Sequence, residues 1–216
     1  MQKPKLISFK ICPFVQRSVI LLKEKSIDYN IAFIDIDDPP AWFLELSPTG
    51  KVPVMQIDDT ILFESAVINE YIDEVFPPSL HPINSLEKAQ NRAWIEYTSS
   101  LYMTMFNLMM AKTKEGFEKI LKEFDKPLAD LEKVKAEGPW FNGKEYSMMD
   151  IAIAPFFTRI EFIKNHCSID FIKSFNHLYG WSEDLLARQS VIDSIPEGFD
   201  EIHLMYMKEA RSYLVG

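Results

Sequence analysis

A cysteine followed by a proline and a phenylalanine, in Ile11-Cys12-Pro13-Phe14-Val15-Gln16-Arg17, is the residue group best suited to chemistry in this chain. The thiolate is the nucleophilic form of cysteine, and it is favoured where unpaired backbone N–H groups and the positive end of a helix dipole face the sulfur. Cys12 has that setting if the apolar run ending at Phe9 is a strand and the pattern from Phe14 to Lys25 is a helix. Proline suits the first helical turn, where its missing N–H has no intrahelical partner to lose. Two further groups handle a ligand rather than a bond. Val52-Pro53 places a proline at the mouth of a strand, where a cis bond exposes the Val52 N–H and C=O to a peptide-like molecule. Glu64-Ser65 opens a helix, so that backbone N–H groups and a hydroxyl face a carboxylate while the glutamate meets an ammonium.

The elements that must position these residues follow from periodicity. Lys5 to Phe9 reads as a strand, Phe14 to Lys25 as a helix with Val15, Val19 and Leu22 on its apolar face, and Tyr29 to Ile36 as a second strand. Asp37-Asp38-Pro39-Pro40 breaks the chain before a short helix, Trp42 to Leu46. Val52 to Ile57 and Thr60 to Phe63 form a hairpin turning at Asp58-Asp59, and Ser65 to Val75 returns to helical spacing. This order predicts a small mixed sheet flanked by helices, an α/β thioredoxin-like domain over residues 1–77. The proline-rich run that begins at Phe76 reads as a linker, assigned to residues 78–85. Residues 86–216 then carry only helical patterns, Leu86 to Ala111, Gly116 to Lys135, Met148 to Asn165, Asn176 to Gln189 and Glu201 to Leu214, and are expected to be an all-α domain. Ser147-Met148-Met149-Asp150 has the spacing of a capping box.

Composition narrows the function. With 23 basic against 32 acidic residues the chain carries −9, a poor match for nucleic acid or an anionic membrane. No stretch has the apolar length of a membrane span, and the start has no secretory pattern, so a cytoplasmic protein is expected. Cys12 and Cys167 are too far apart in sequence to read as a disulfide framework, and the four histidines (81, 166, 177, 203) lack ligand spacing, so no metal is expected.

Together these motifs resemble the glutathione transferase superfamily over nearly the full chain. Ser47-Pro48-Thr49-Gly50-Lys51-Val52-Pro53 and Phe63-Glu64-Ser65, followed by a helix through Tyr71-Ile72-Asp73, are similar to its glutathione-site signature. Ser147 to Asp150 is similar to the capping box of its sixth helix, and Cys12-Pro13-Phe14 most resembles the omega-like, cysteine-type branch. The resemblance implies glutathione as co-substrate and a glutathione-dependent thiol transferase or reductase that detoxifies disulfides or dehydroascorbate-type substrates. In it Cys12 forms a mixed disulfide with glutathione, and Phe14, Val52, cis Pro53, Glu64 and Ser65 hold the tripeptide. Members of this branch often place a lysine in the second-helix segment for the glycyl carboxylate. Here that segment reads Asp38-Pro39-Pro40-Ala41, and Lys51 is the substitute. Pro13, Tyr102, Phe106 and Trp181 are assigned to the second-substrate site, Tyr102 and Phe106 coming from an aromatic and methionine stripe that also includes Met105, Met109 and Met110. Arg17 and Asp150 are read as helix charge placement and capping. A homodimer is implied. Two alternatives share the fold: a non-catalytic, stringent-starvation-type regulator of RNA polymerase, and a xenobiotic-conjugating transferase.

Overall fold

The computed structural model describes residues 3–216. Its first compact unit runs to Ser79 and takes in a distant segment, Asp193–Glu197. Four strands form its sheet, β1 (Lys5–Ser8), β2 (Asn30–Phe33), β3 (Val54–Ile57) and β4 (Thr60–Phe63), in the order β2-β1-β3-β4. β1 runs parallel to β2 and antiparallel to β3, and β3 antiparallel to β4. The hairpin turns at Asp58, whose φ of 51° explains a small polar residue there. β2 is shorter than its apolar pattern, since pairing with β1 ends at Ser8↔Phe33.

Helices α1 (Pro13–Glu24), α2 (Ala41–Leu46) and α3 (Ser65–Val75) complete this unit. Ile7, Ile34, Phe43 and Val54 form one buried cluster, with Ile36, Leu46, Val52 and Ile61 packed against it. α1 and α3 pack against each other, and Val15, Val19, Leu22, Ile68 and Ile72 are buried along them.

The second unit comprises Leu80–Ile192 and Gly198–Gly216. Its helices are α4 (Ser85–Met109), α5 (Lys114–Lys122), α6 (Asp125–Val134), α7 (Met148–Cys167), α8 (Asn176–Leu186), α9 (Gln189–Ile192) and α10 (Phe199–Glu209), with a 3-10 turn at Tyr213–Val215. α7 packs against α4 and α8, and its residues from Met148 to Ile160 are all buried. The helix expected over Gly116 to Lys135 is two helices. Pro127 falls in the first turn of α6, where it can neither donate to the Glu123 carbonyl nor avoid it. The chain closes α5 instead with Glu123 N→Ile120 O (2.9 Å) and Phe124 N→Leu121 O (3.1 Å), and buries Phe124 at the break. The last predicted helix likewise stops at Glu209. Arg211 takes φ 54° there, and the Ser212 hydroxyl accepts from Leu214 N.

Candidate active site

Strand register carries three of the sequence motifs to one end of the sheet. Ile7 pairs with Val54 and Val54 with Phe63, so the loop after β1, the entry to β3 and the exit of β4 lie side by side. Those segments hold Cys12, Val52-Pro53 and Glu64-Ser65.

Cys12 is the N-cap of α1, half-buried and outside any disulfide, with extended backbone (φ −75°, ψ 120°). Its N–H donates to Phe9 O at 3.1 Å, and its C=O accepts the first intrahelical bond from Gln16 N at 3.0 Å. Pro13 is the first helical residue, one position earlier than the sequence pattern starts the helix. The N–H groups of the next residues have no acceptor within the helix, and no acidic residue lies in this turn. Both features favour a thiolate at Cys12. Cys167 differs: it ends α7, and burial pushes its thiol up.

The Val52–Pro53 peptide is cis, with Val52 half-buried and Pro53 buried. The loop leading to it is pinned by Ser47, whose hydroxyl accepts from Lys51 N (3.1 Å) and donates to Lys51 O (3.0 Å). Gly50 holds φ 65° in that turn, a conformation glycine adopts without Cβ penalty. Lys51 itself is exposed.

Glu64 caps α3 at φ 65° and ψ 111° and is exposed. A positive φ is uncommon for a residue with a Cβ and concentrates at functional sites. Ser65, the first residue of α3, is 3% exposed. Its Oγ accepts two hydrogen bonds from Arg17, from Nε at 3.0 Å and Nη2 at 2.6 Å. Arg17 is therefore not a surface helix charge, as its sequence position implies, but a buried group joining α1 to α3. Its guanidinium also lies over the ring of half-buried Phe14, 5.5 Å from the centroid. Neighbouring Gln16 is buried too, and its amide donates to Ser194 Oγ at 3.1 Å, in the segment that joins this unit from far along the chain. Sequence reasoning read Arg17 only as a helix charge, quoted Ser47 within the signature stretch without a role of its own, and missed Ser194.

Two of the residues assigned to a second-substrate surface lie elsewhere. Tyr102 is 2% exposed and its hydroxyl donates to Ala152 O; Trp181 is 1% exposed and its Nε1 donates to Asp150 Oδ1 at 2.8 Å. Both are core residues of the helical unit. The α4 stripe splits by helical phase: Tyr102, Met105 and Met109 turn inward, while Phe106, at 49% exposure, and Met103 turn out. Phe106 is thus exposed on the helical unit, and Pro13 is half-buried in the sheet unit. Asp150 forms the expected capping box with Ser147. Its carboxyl accepts from Phe141 N, Ser147 N and Trp181 Nε1 at 2.8 Å each, and from Ser147 Oγ at 2.7 Å. Burial pushes this carboxyl up, against the pull of those donors. Among the described residues no three His, Cys, Asp or Glu side chains gather as a metal site requires. No helix there is long and apolar enough to cross a membrane.

A four-stranded mixed sheet with a thiol at the start of its first helix, followed in the chain by a helical unit, defines a thioredoxin-like protein built for thiol chemistry. Residues 11–75 match the glutathione S-transferase N-terminal domain and residues 114–184 the glutathione S-transferase C-terminal domain. Rat glutathione S-transferase omega-1 is 34% identical over 168 residues, 76% of this chain and 70% of its own length. A probable cytosolic glutathione S-transferase, DHAR1 of rice, is 32% identical over 188 residues, covering 84% of this chain and 82% of its own. The crystal structure of glutathione transferase Omega 3C from Trametes versicolor superposes with a TM-score of 0.77 at 27% identity, over 90% and 89% of the two chains. The chain belongs to the glutathione S-transferase family, with its omega-like branch.

Proposed function

We infer that this protein is a glutathione-dependent thiol transferase and reductase of the omega and DHAR type, working through Cys12. The observation that supports this most is the placing of Cys12 at a helix N-terminus, at the sheet end that also carries Val52-Pro53 and Glu64-Ser65.

In the proposed cycle the Cys12 thiolate attacks the glutathionyl sulfur of a mixed disulfide. The Cys12–glutathione S–S bond forms, the old S–S bond breaks, and the partner thiol leaves and takes up a proton. A second glutathione thiolate then attacks the glutathione sulfur of that adduct, releasing oxidised glutathione and restoring Cys12. Val52 meets the cysteinyl part through its backbone beside Pro53, with Phe14 alongside. Glu64 and Ser65 take the γ-glutamyl end, and Lys51 the glycyl carboxylate. Pro13 and Phe106 are the remaining candidates for contact with the second substrate, a small disulfide or a dehydroascorbate-type electrophile. The working form is proposed to be a homodimer in the cytoplasm, by likeness to the family and to the cytosolic rice relative.

The test is a mass measurement after exposure to oxidised glutathione. One reductant-labile glutathionyl group is expected on Cys12 and none on the Cys12→Ser protein, whose reductase activity is abolished. An adduct confined to Cys167, or reductase activity surviving in Cys12→Ser, overturns the reading.

A further inference from the structure

We propose that Arg17 is a positioning residue for ligand binding, acting through Ser65 on the γ-glutamyl α-carboxylate. The proposal rests on the assignment of Ser65 to that end of glutathione, and adds what makes the hydroxyl able to serve it. A serine hydroxyl has two acceptor lone pairs and one hydrogen. Arg17 directs two N–H groups onto the one Oγ, at 3.0 and 2.6 Å, and so occupies the acceptor side. The remaining hydrogen has to point away from the guanidinium. At the head of α3 we take it to join the first-turn backbone N–H groups, which have no partner inside the helix. A carboxylate arriving there can accept from the hydroxyl and the backbone N–H groups, while exposed Glu64 is left to the ammonium of the same γ-glutamyl end. Without Arg17 the hydroxyl is able to turn its hydrogen inward and present lone pairs to the incoming charge.

Arg17 is suited to this because it is fixed. It is 4% exposed, and its planar guanidinium rests over Phe14, two residues beyond the reactive thiol. Lysine offers a point charge with rotatable donors and cannot hold two N–H groups in one plane.

The plainer role, tying α1 to α3, is already filled two helical turns further along. Lys25 Nζ lies 2.7 Å from Asp73 Oδ1, both side chains nearly inaccessible, and also donates to Phe76 O and Pro78 O. Ser79 Oγ completes that cluster with a bond to Asp73 Oδ2. The helix pair therefore has an anchor that does not involve Ser65.

The experiment compares two unreactive ligands, S-methylglutathione and its analogue lacking the γ-glutamyl α-carboxylate, as inhibitors of the wild type and of Arg17→Gln, Arg17→Lys, Ser65→Ala and Arg17→Gln/Ser65→Ala. The ratio of the two inhibition constants does not depend on the folded fraction, so a destabilised variant still gives a reading. In the wild type the carboxylate-bearing ligand should bind more tightly by about tenfold or more, the scale of one hydrogen bond to a charged group. Arg17→Gln should remove most of that preference while leaving the analogue's constant nearly unmoved, and Arg17→Lys should fall between. The double variant should be no worse than either single one. Equal weakening of both ligands by Arg17→Gln, or additive losses in the double variant, would show a merely structural arginine and overturn the proposal. If Ser65→Ala keeps the full preference, the assignment of Ser65 itself fails. If Ser65→Ala loses the preference and Arg17→Gln does not, only the role of Arg17 fails.

Discussion

The two units satisfy their buried polar groups in opposite ways. In the helical unit the Asp150 carboxylate receives four donors, enough to fill its acceptor sites, inside a wall that includes Trp181, Phe141 and Phe157. In the sheet unit the polar groups form a line between helices, Ser65, Asn69 and Asp73 recurring every fourth residue along α3, and the line ends at the helix start rather than in the core. Ser65 accepts twice from Arg17 and keeps its hydrogen for something outside the pair. Asp150 and Ser65 each obey the rule that a buried polar group needs a partner, whereas Asn69 Oδ1, midway along the α3 line, has none among the described residues. The first network is closed within the fold; the second, on the proposed reading, is left open for a ligand at the start of α3.

The sharpest way to break this contrast is at Asp150. Asp150→Ala leaves the Trp181 Nε1, two backbone N–H groups and the Ser147 hydroxyl without their shared acceptor. It should cost about 3–5 kcal/mol in urea unfolding. The inhibition constant of S-methylglutathione for the protein that stays folded should not change. A loss below about 1 kcal/mol would mean that the network is not what holds the start of α7 in place.

His203 gives the next effect, still in the closed interior. It packs against Phe162 and Phe199, and its Nδ1 lies 2.9 Å from Phe199 O; His166 stands against the same Phe162 ring. Burial, with the Arg159 charge nearby, pushes its pKa down to about 4, while the Phe199 carbonyl and Asp200 pull weakly the other way. The folded protein thus keeps the ring neutral where the unfolded chain protonates it, near 6.5. Stability from this residue is complete above that pH and is lost as the pH falls toward 4, amounting to about 3 kcal/mol across the window. Urea midpoints from neutral pH down to 4.5 should fall in the wild type and fall less steeply in His203→Phe. Parallel curves would show that the ring is accessible to protons in the folded state.

How much of this was legible in the sequence divides along the same line. The bounds of β4 and α3, the short α2 and the Ser147–Asp150 capping box could all be read, because each is set by neighbours a few residues apart. Cys12 could be placed at its helix start for the same reason. Arg17 could not, since an arginine on an amphipathic helix looks exposed and its partner lies 48 residues away. Ser194 joins the sheet unit across 178 residues, with no local trace. Tyr102 shows the reverse error: an aromatic stripe at helical spacing fits a cleft or a core equally well, and only the phase of α4 against α7 decides between them; Trp181, on α8, is likewise drawn into the core, where its Nε1 donates to Asp150. In the candidate site the motifs were visible, and the side chains that orient them were not.

The smallest expected effect lies at Lys51, and it sharpens the contrast within the sheet unit itself. Arg17 acts from a buried, fixed position; Lys51 is exposed on a loop whose shape does not depend on its side chain. That loop is pinned by Ser47 through the Lys51 backbone and by the Gly50 turn, so Lys51→Ala should leave Val52-Pro53 where they are. On the proposed assignment, what is lost is one solvated charge facing the glycyl carboxylate, an interaction of about 1 kcal/mol or less. The glutathione KM should rise about two- to fivefold at low ionic strength, with kcat nearly unchanged, and the difference should vanish near 1 M salt, where screening acts over about 3 Å. A KM that does not move even at low salt would take the glycyl end of glutathione off this loop. A rise that persists at high salt would mean that Lys51 is held against the ligand as tightly as the buried arginine holds Ser65.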